Sequence, residues 1–366
     1  MITKKANLAK VLSNVYLTKK EPLSVIHFIT NRCNARCSFC FIDFDDPKTF
    51  KGELSLEEID KLTKSYGNSL LNVNFTGGEP FARKDIIEIA KKYIENTTIQ
   101  SIFITTNGSL PDRVESFIEE IIKFDSDIEI GIQISMDDFP ENHNKIRKIP
   151  DLFKSCLDTY FRVKRFGLNV TSSASITVTQ ENCENIENFF NYLFYDCKID
   201  SIKAILVRDE GIYKTPENEK KKIFKAYNWL VNKISEFTEK GLIKNHNKES
   251  IQGKLHNAKD KISYDLVKKM YLKPHYISPC HAGSLFGVIT ASGLVYPCEI
   301  LEDKLLGDLR KNNMDFKKIW SGKTSAETKK FIKKSKCNCT YECALTYNVL
   351  GNWRYQPQLI KSVLKS

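Results

Sequence analysis

Residues 31–43 read N-R-C-N-A-R-C-S-F-C-F-I-D and set Cys33, Cys37 and Cys40 in the spacing C-x3-C-x2-C, with Phe39 directly before the third cysteine. Three thiolates on one short loop can each hold one iron of a cubic [4Fe–4S] cluster. The fourth iron then has no protein ligand, so it can bind a chelating small molecule and pass it one electron. Two plainer readings compete. Clustered cysteines in a secreted chain suggest disulfides, and a zinc site wants a fourth ligand from a second C-x2-C or a histidine pair. His27 is close in sequence, but it lies in an apolar run and is expected to pack in the core.

Working outward, residues 24–30 (S-V-I-H-F-I-T) are short and β-branched, the pattern of a buried strand running into the cysteine loop. Residues 54–64 read as a helix, with Ser55 as N-cap and Glu58 completing a capping box. Strands over 72–76, 102–106, 128–135, 169–178 and 202–207 alternate with helices over 85–95, 113–123, 152–165 and 186–193. Six strands in such alternation imply a parallel sheet with right-handed crossovers. Functional residues of such barrels gather at the C-terminal ends of the strands.

Those ends carry the chain's motifs. Gly77-Gly78-Glu79-Pro80 follows the second strand. Two glycines there permit positive φ and a close approach of backbone to a ligand, or they form a plain turn. Thr106-Asn107-Gly108 ends the third strand, where Asn-Gly is otherwise a turn dipeptide. Ser135-Met136-Asp137-Asp138 ends the fourth, and Ser135 and Asp137, two apart on an extended segment, point to one side. That suits hydrogen bonding to ribose hydroxyls. Ser173 and Ser175 of the fifth strand fit the barrel interior or plain packing, and the sixth closes on Arg208-Asp209-Glu210-Gly211.

The chain's 366 residues suffice for one large domain and a smaller one. Its 41% hydrophobic and 28% charged residues are ordinary for a soluble globular protein. Of eleven cysteines, Cys156, Cys183 and Cys197 are scattered, as small buried hydrophobes are. The other eight cluster, which indicates metal ligation, and an odd total argues against a full disulfide framework. No apolar run reaches the ~20 residues of a membrane span. The N-terminus lacks a signal-peptide pattern, and a cytoplasmic location is expected. A net charge of +11 could attract nucleic acid or lipid, but the lysines are dispersed among abundant Asn and Ile, so no nucleic-acid partner is expected. Residues 5–17 read as a short basic amphipathic helix with Leu8, Val11, Leu12 and Val15 on one face, packed on the barrel or touching a membrane surface. Residues 215–275 read as a Lys- and Asn-rich helical connector.

From Ser278 the character changes. Cys280 and Cys298 form C-x12-G-x4-C around Gly293, the pattern of a β-hairpin that brings two thiolates to one end. Leu306-Gly307-Asp308-Leu309, a helix to Trp320, and Cys337, Cys339 and Cys343 in C-x-C-x3-C follow. One cubane needs four of these five cysteines, and zinc also takes four thiolates.

Over residues 22–350 these motifs resemble the radical S-adenosylmethionine (SAM) superfamily with a C-terminal SPASM/Twitch extension. The cysteine spacing with its aromatic Phe39, G-G-E-P, T-T-N-G, I-S-M-D and C-x12-G-x4-C carry the likeness. The resemblance implies an α/β fold, a partial (β/α)6 TIM-like barrel with a small hairpin-plus-helix iron–sulfur module. The expected parts are an N-terminal helix (1–21), the barrel (22–214), the connector (215–275), the module (276–350) and a tail (351–366). It implies a SAM-binding [4Fe–4S] cluster on Cys33, Cys37 and Cys40 and a second, auxiliary [4Fe–4S] cluster on cysteines among 280, 298, 337, 339 and 343. Gly77, Gly78, Glu79 and Pro80 would hold the SAM amino group, and Thr106 and Asn107 would face the cofactor. Ser135 and Asp137 would contact the ribose and Arg147 the methionine carboxylate; the plainer reading of Arg147 is a solvated helix N-terminus. The implied activity is reductive cleavage of SAM to a 5'-deoxyadenosyl radical that takes hydrogen from a peptide, sugar or other small substrate, with electrons from a flavodoxin or ferredoxin. The chain departs from the full SPASM pattern, which has more cysteines and two auxiliary clusters, so a single auxiliary cluster is expected. A non-catalytic iron–sulfur electron-transfer or regulatory protein, or a zinc-binding structural protein, is the alternative.

Overall fold

A computed structural model describes residues 6–364 apart from 168, 210, 211, 245–250 and 272. In order come α1 (Leu8–Ser13), β1 (Ser24–Thr30), α2 (Leu56–Lys64), β2 (Asn72–Gly77), α3 (Ile86–Asn96), β3 (Ser101–Thr106), α4 (Pro111–Phe124) and β4 (Glu129–Ser135). Then follow α5 (Pro140–Arg147), α6 (Leu152–Phe166), β5 (Val170–Val178), α7 (Ile186–Asn191), β6 (Ile202–Leu206), α8 (Lys220–Glu239) and α9 (Ile251–Tyr271). The C-terminal part holds β7 (Phe286–Ile289), β8 (Leu294–Tyr296), β9 (Gly307–Asp308), α10 (Phe316–Trp320), α11 (Lys323–Lys334), α12 (Glu342–Leu350) and α13 (Gln356–Leu364).

One nine-stranded sheet runs β6-β5-β4-β3-β2-β1-β7-β8-β9. β1 to β6 pair in parallel with their sequence neighbours, as expected for a partial (β/α)6 barrel. Alternation assigns the two faces. Ile102, Ile104, Ile130, Ile132 and Ile134 are all buried in the main core, while Phe103, Thr105 and Gln133 on the other face are only half-buried. β1 is buried throughout: Val25 and Ile29 join the main core, and Ile26 and Phe28 join a second core with Phe286, Cys298 and Tyr341. That second core welds the C-terminal module to the barrel.

The helices carry the expected signals. α2 begins at Ser55 with a complete capping box to Glu58. The hairpin is present: β7 and β8 are antiparallel, and Gly293 sits in its turn at φ +86°. β7 also pairs in parallel with β1, so the module extends the barrel sheet. Sequence patterning did not reveal this, because it is a long-range pairing.

Two expectations need correction. Leu8, Val11, Leu12 and Val15 do not share a buried face: Val11 and Val15 are buried, and Leu8 and Leu12 are exposed. The helix is brief, ending at Ser13 and passing into a wider π turn over Asn14–Thr18. Arg147 is not at a helix N-terminus but in the last turn of α5, and it is buried. The connector also has a structural role. Tyr264 of α9 and Glu342 of α12 hydrogen-bond the β6 amides of Ala204 and Leu206, which blunts an open sheet edge. Glu210 and Gly211 lie outside the described residues.

Candidate cofactor site

The cysteine loop leaves the end of β1 and is fixed by backbone bonds to two other segments. Arg36 N and Ser38 N donate to the carbonyls of Arg147 and Ile146 (3.1 and 3.2 Å), and Gly78 N and Glu79 N donate to Thr30 O and Arg32 O (both 2.8 Å). The two glycines serve this second contact. A Cβ at Gly77, whose φ is +126°, would lie 1.9 Å from Thr30 O, and one at Gly78 would lie 2.2 Å from Arg32 O. The close approach expected toward a ligand is therefore an approach to the cysteine-loop backbone.

Glu79 is fully buried between strand ends. It accepts from Thr106 Oγ1 (2.8 Å), Asn107 N (2.7 Å) and Phe81 N (3.1 Å). Burial raises its pKa in spite of these donors. Its carboxylate fixes the end of β3, and through it Asn107, whose Nδ2 reaches Asn34 Oδ1 at 2.8 Å and Cys33 Sγ at 3.9 Å. Pro80 is buried beside it and starts a short 3-10 turn.

Asp137 is also fully buried. One oxygen accepts from Thr177 N at 3.0 Å and the other from Arg147 Nε at 2.7 Å. Its own N–H donates to His143 Nδ1 (3.1 Å), so that ring nitrogen is unprotonated. Burial brings the His143 pKa down to about 4 despite the Asp137 charge. Burial works against the Arg147 charge, but Asp137 outweighs it and holds the guanidinium firmly protonated. Arg147 Nη1 reaches Cys37 Sγ at 3.7 Å, and its guanidinium carbon is 5.7 Å from the Phe39 ring centre. The two residues expected to take different parts of SAM thus pair with each other. Ser135 is buried, with no side-chain hydrogen bond among the described residues.

In the C-terminal module Cys280 and Cys298 flank the hairpin, and Cys280, Cys298, Cys337 and Cys339 all border the second core. Cys337 faces Cys280, with Cys339 and Cys298 close enough to act on its charge. Cys343 is exposed and faces Glu299, Arg208 and Tyr341. Glu299 and Tyr341, beside the cysteines, were not singled out from the sequence. Their partner Arg208 is 91 positions from Glu299, and no local pattern reports such a pairing. Asn182 was missed too; it donates to Asp137 O and Thr177 O, both at 2.8 Å. His27 is in the core as expected, with Nδ1 2.9 Å from Tyr93 Oη.

The donor set at the loop, three cysteines on one short segment, fits an iron–sulfur group. A cubane spreads its ligands because each thiolate binds a different iron. Burial pushes the Cys33 thiol up to about 11 and raises Cys37 and Cys40. Such thiols need a cation to become thiolates. Arg147 and Asn107 already aim donors at two of the sulfurs.

Comparison with known proteins agrees. The profile of the radical SAM superfamily matches residues 28–193, and that of the SPASM iron–sulfur cluster-binding domain matches residues 280–344. The chain belongs to the radical SAM superfamily and carries a C-terminal SPASM domain. A [4Fe–4S] cluster, SAM and additional iron–sulfur are the cofactors these domains bring.

Fe-coproporphyrin III synthase of Methanosarcina barkeri is 31% identical over 179 residues, covering 48% of this chain and 41% of that protein. GTP 3',8-cyclase of Alkaliphilus metalliredigens is 31% identical over 175 residues, covering 47% and 52%. The matches thus span about half or less of these curated relatives. Among solved structures, native anSMEcpe with bound AdoMet superposes with a TM-score of 0.62 at 20% identity, covering 94% of this chain and 99% of that one. Streptococcus suis SuiB bound to precursor peptide SuiA gives 0.57 at 16% identity, covering 88% and 69%. Both likenesses are of fold.

Proposed function

We propose that the chain is an enzyme that cleaves SAM reductively and uses the resulting radical to take hydrogen from its substrate. Cys33, Cys37 and Cys40 would hold a [4Fe–4S] cluster, which would supply the one electron needed for cleavage of SAM to methionine and the 5'-deoxyadenosyl radical. The observation that carries the reading is the convergence on the cysteine loop of three strand ends: Glu79 with Gly77 and Gly78, Asn107, and the Asp137–Arg147 pair. These residues fix the loop, and Arg147 keeps a positive charge beside Cys37. Phe39 beside Arg147, Thr106 bonded to Glu79, and Ser135 at the end of β4 are the candidates for contact with SAM. Cys280, Cys298 and two of Cys337, Cys339 and Cys343 hold an auxiliary cluster that assists oxidation of the substrate or bond formation. The substrate is a peptide or small metabolite. A peptide is favoured by the shared fold, since anSMEcpe and SuiB were both solved with peptides. The electron donor is of the flavodoxin or ferredoxin class, and the chain works in the cytoplasm.

Iron and acid-labile sulfide per chain, measured after anaerobic reconstitution, test this. Two cubanes give about eight irons, falling to about four in the Cys33/Cys37/Cys40→Ala variant. The wild type then cleaves SAM with dithionite and the variant does not. A cluster-loaded wild type that leaves SAM intact would be an electron-transfer or regulatory protein.

A further inference from the structure

Arg208, just beyond β6, stands where the cysteine loop and the C-terminal module meet. Its Nη1 is ion-paired with Glu299, the residue after Cys298. Its guanidinium carbon lies 5.0 Å from the Phe41 ring centre and 4.9 Å from that of Tyr341. Phe41 follows Cys40, and Tyr341 lies between Cys339 and Cys343. Tyr341 Oη donates to the second Glu299 oxygen, so both oxygens are occupied. The Tyr341 ring is buried, and the Glu299 and Arg208 side chains are 10% and 29% exposed. One cation therefore touches the flank of the first cysteine set and two flanks of the second. Cys343 feels the charges of both Arg208 and Glu299.

We infer that Arg208 is a positioning residue that neutralises Glu299 and thereby sets the reduction potential of the auxiliary cluster, while stacking the module on the cysteine loop through Phe41 and Tyr341. This rests on the proposed auxiliary cluster. The physical reason is that net charge and hydrogen bonding around the sulfurs tune such a cluster, and a charge in a partly buried site is weakly screened. The intact pair is neutral overall. Removing only Arg208 leaves an uncompensated carboxylate beside Cys298, which disfavours addition of an electron. Removing only the Glu299 charge leaves a cation, which favours it.

The test is an EPR-monitored redox titration of the reconstituted full chain in the Cys33/Cys37/Cys40→Ala background, where only auxiliary iron reports. Arg208→Gln should lower the potential and Glu299→Gln raise it. The double variant should return toward the parent, and Arg208→Lys, which keeps the charge but not the flat stacking, should stay close to it. A merely structural role would lower iron occupancy or stability without this ordering by charge. Equal potentials in all variants at full iron occupancy overturn the inference, as does Arg208→Lys behaving like Arg208→Gln. A parent without auxiliary iron overturns the proposed cluster, and the inference with it.

Discussion

Arg147 Nε donates to Asp137 Oδ2 across 2.7 Å, and Nη1 of the same guanidinium reaches Cys37 Sγ at 3.7 Å. One buried cation thus joins the end of the fourth strand to the cysteine loop, ten residues from its acid in sequence and 110 from its cysteine. Asp137 also caps the amide of Thr177, so the fifth strand is tied into the same contact.

Breaking that pair from one side should be costly. Arg147→Met leaves the Asp137 carboxylate buried without its counter-charge, and about 3–5 kcal/mol of stability should be lost. Arg147→Met/Asp137→Asn should recover part of it, since an amide needs no counter-ion. Urea denaturation of the wild type and the two variants measures this; equal losses in the single and double variants would show that Asp137 is not the group left uncompensated.

Glu79→Gln replaces an acceptor-only group with one carrying an N–H. At least one donor among Thr106 Oγ1, Asn107 N and Phe81 N then loses its acceptor. About 1–3 kcal/mol of stability should go, and Asn107 should become mobile beside Cys33. Iron content after reconstitution and the urea midpoint should fall together.

Gly78→Ala tests the close approach of backbones. The added methyl would stand 2.2 Å from Arg32 O, so the cysteine loop must move. The variant should retain its helical circular dichroism but reconstitute with fewer irons than wild type. A methyl at Gly167, with nothing within 4 Å, would meet no such obstacle and faces only its backbone φ of +61°; Gly167→Ala should therefore keep its iron.

Two buried histidines give the stability a direction with pH. Burial, aided by Arg83, brings His27 down to about 3, and burial brings His143 down to about 4. Both fold as neutral rings, while the unfolded chain takes up protons near pH 6.5. Their contribution is therefore full above about pH 6.5 and is lost as pH falls toward their folded values. Within that window each adds a slope of about 1.4 kcal/mol per pH unit. Urea titrations at stepped pH should show His27→Leu with a shallower slope than wild type; an unchanged slope would remove His27 from the account.

Much of this was legible in the sequence because its causes are local. C-x3-C-x2-C, the Gly77-Gly78 pair and the capping box of Ser55 and Glu58 each act within a few residues, and the strand periodicity states which face is apolar. The family followed from these motifs standing after successive strands. The tertiary structure decided what each motif touches. It turned Gly77 and Gly78 against the cysteine-loop backbone, gave Glu79 to Asn107 and Thr106, and paired Asp137 with Arg147. It joined β7 to β1 and brought Arg208 to Glu299 and Tyr341. The reason is physical: a buried charge or amide must find a partner wherever the fold brings one, and the partner's place in the chain leaves no trace in the residues beside it.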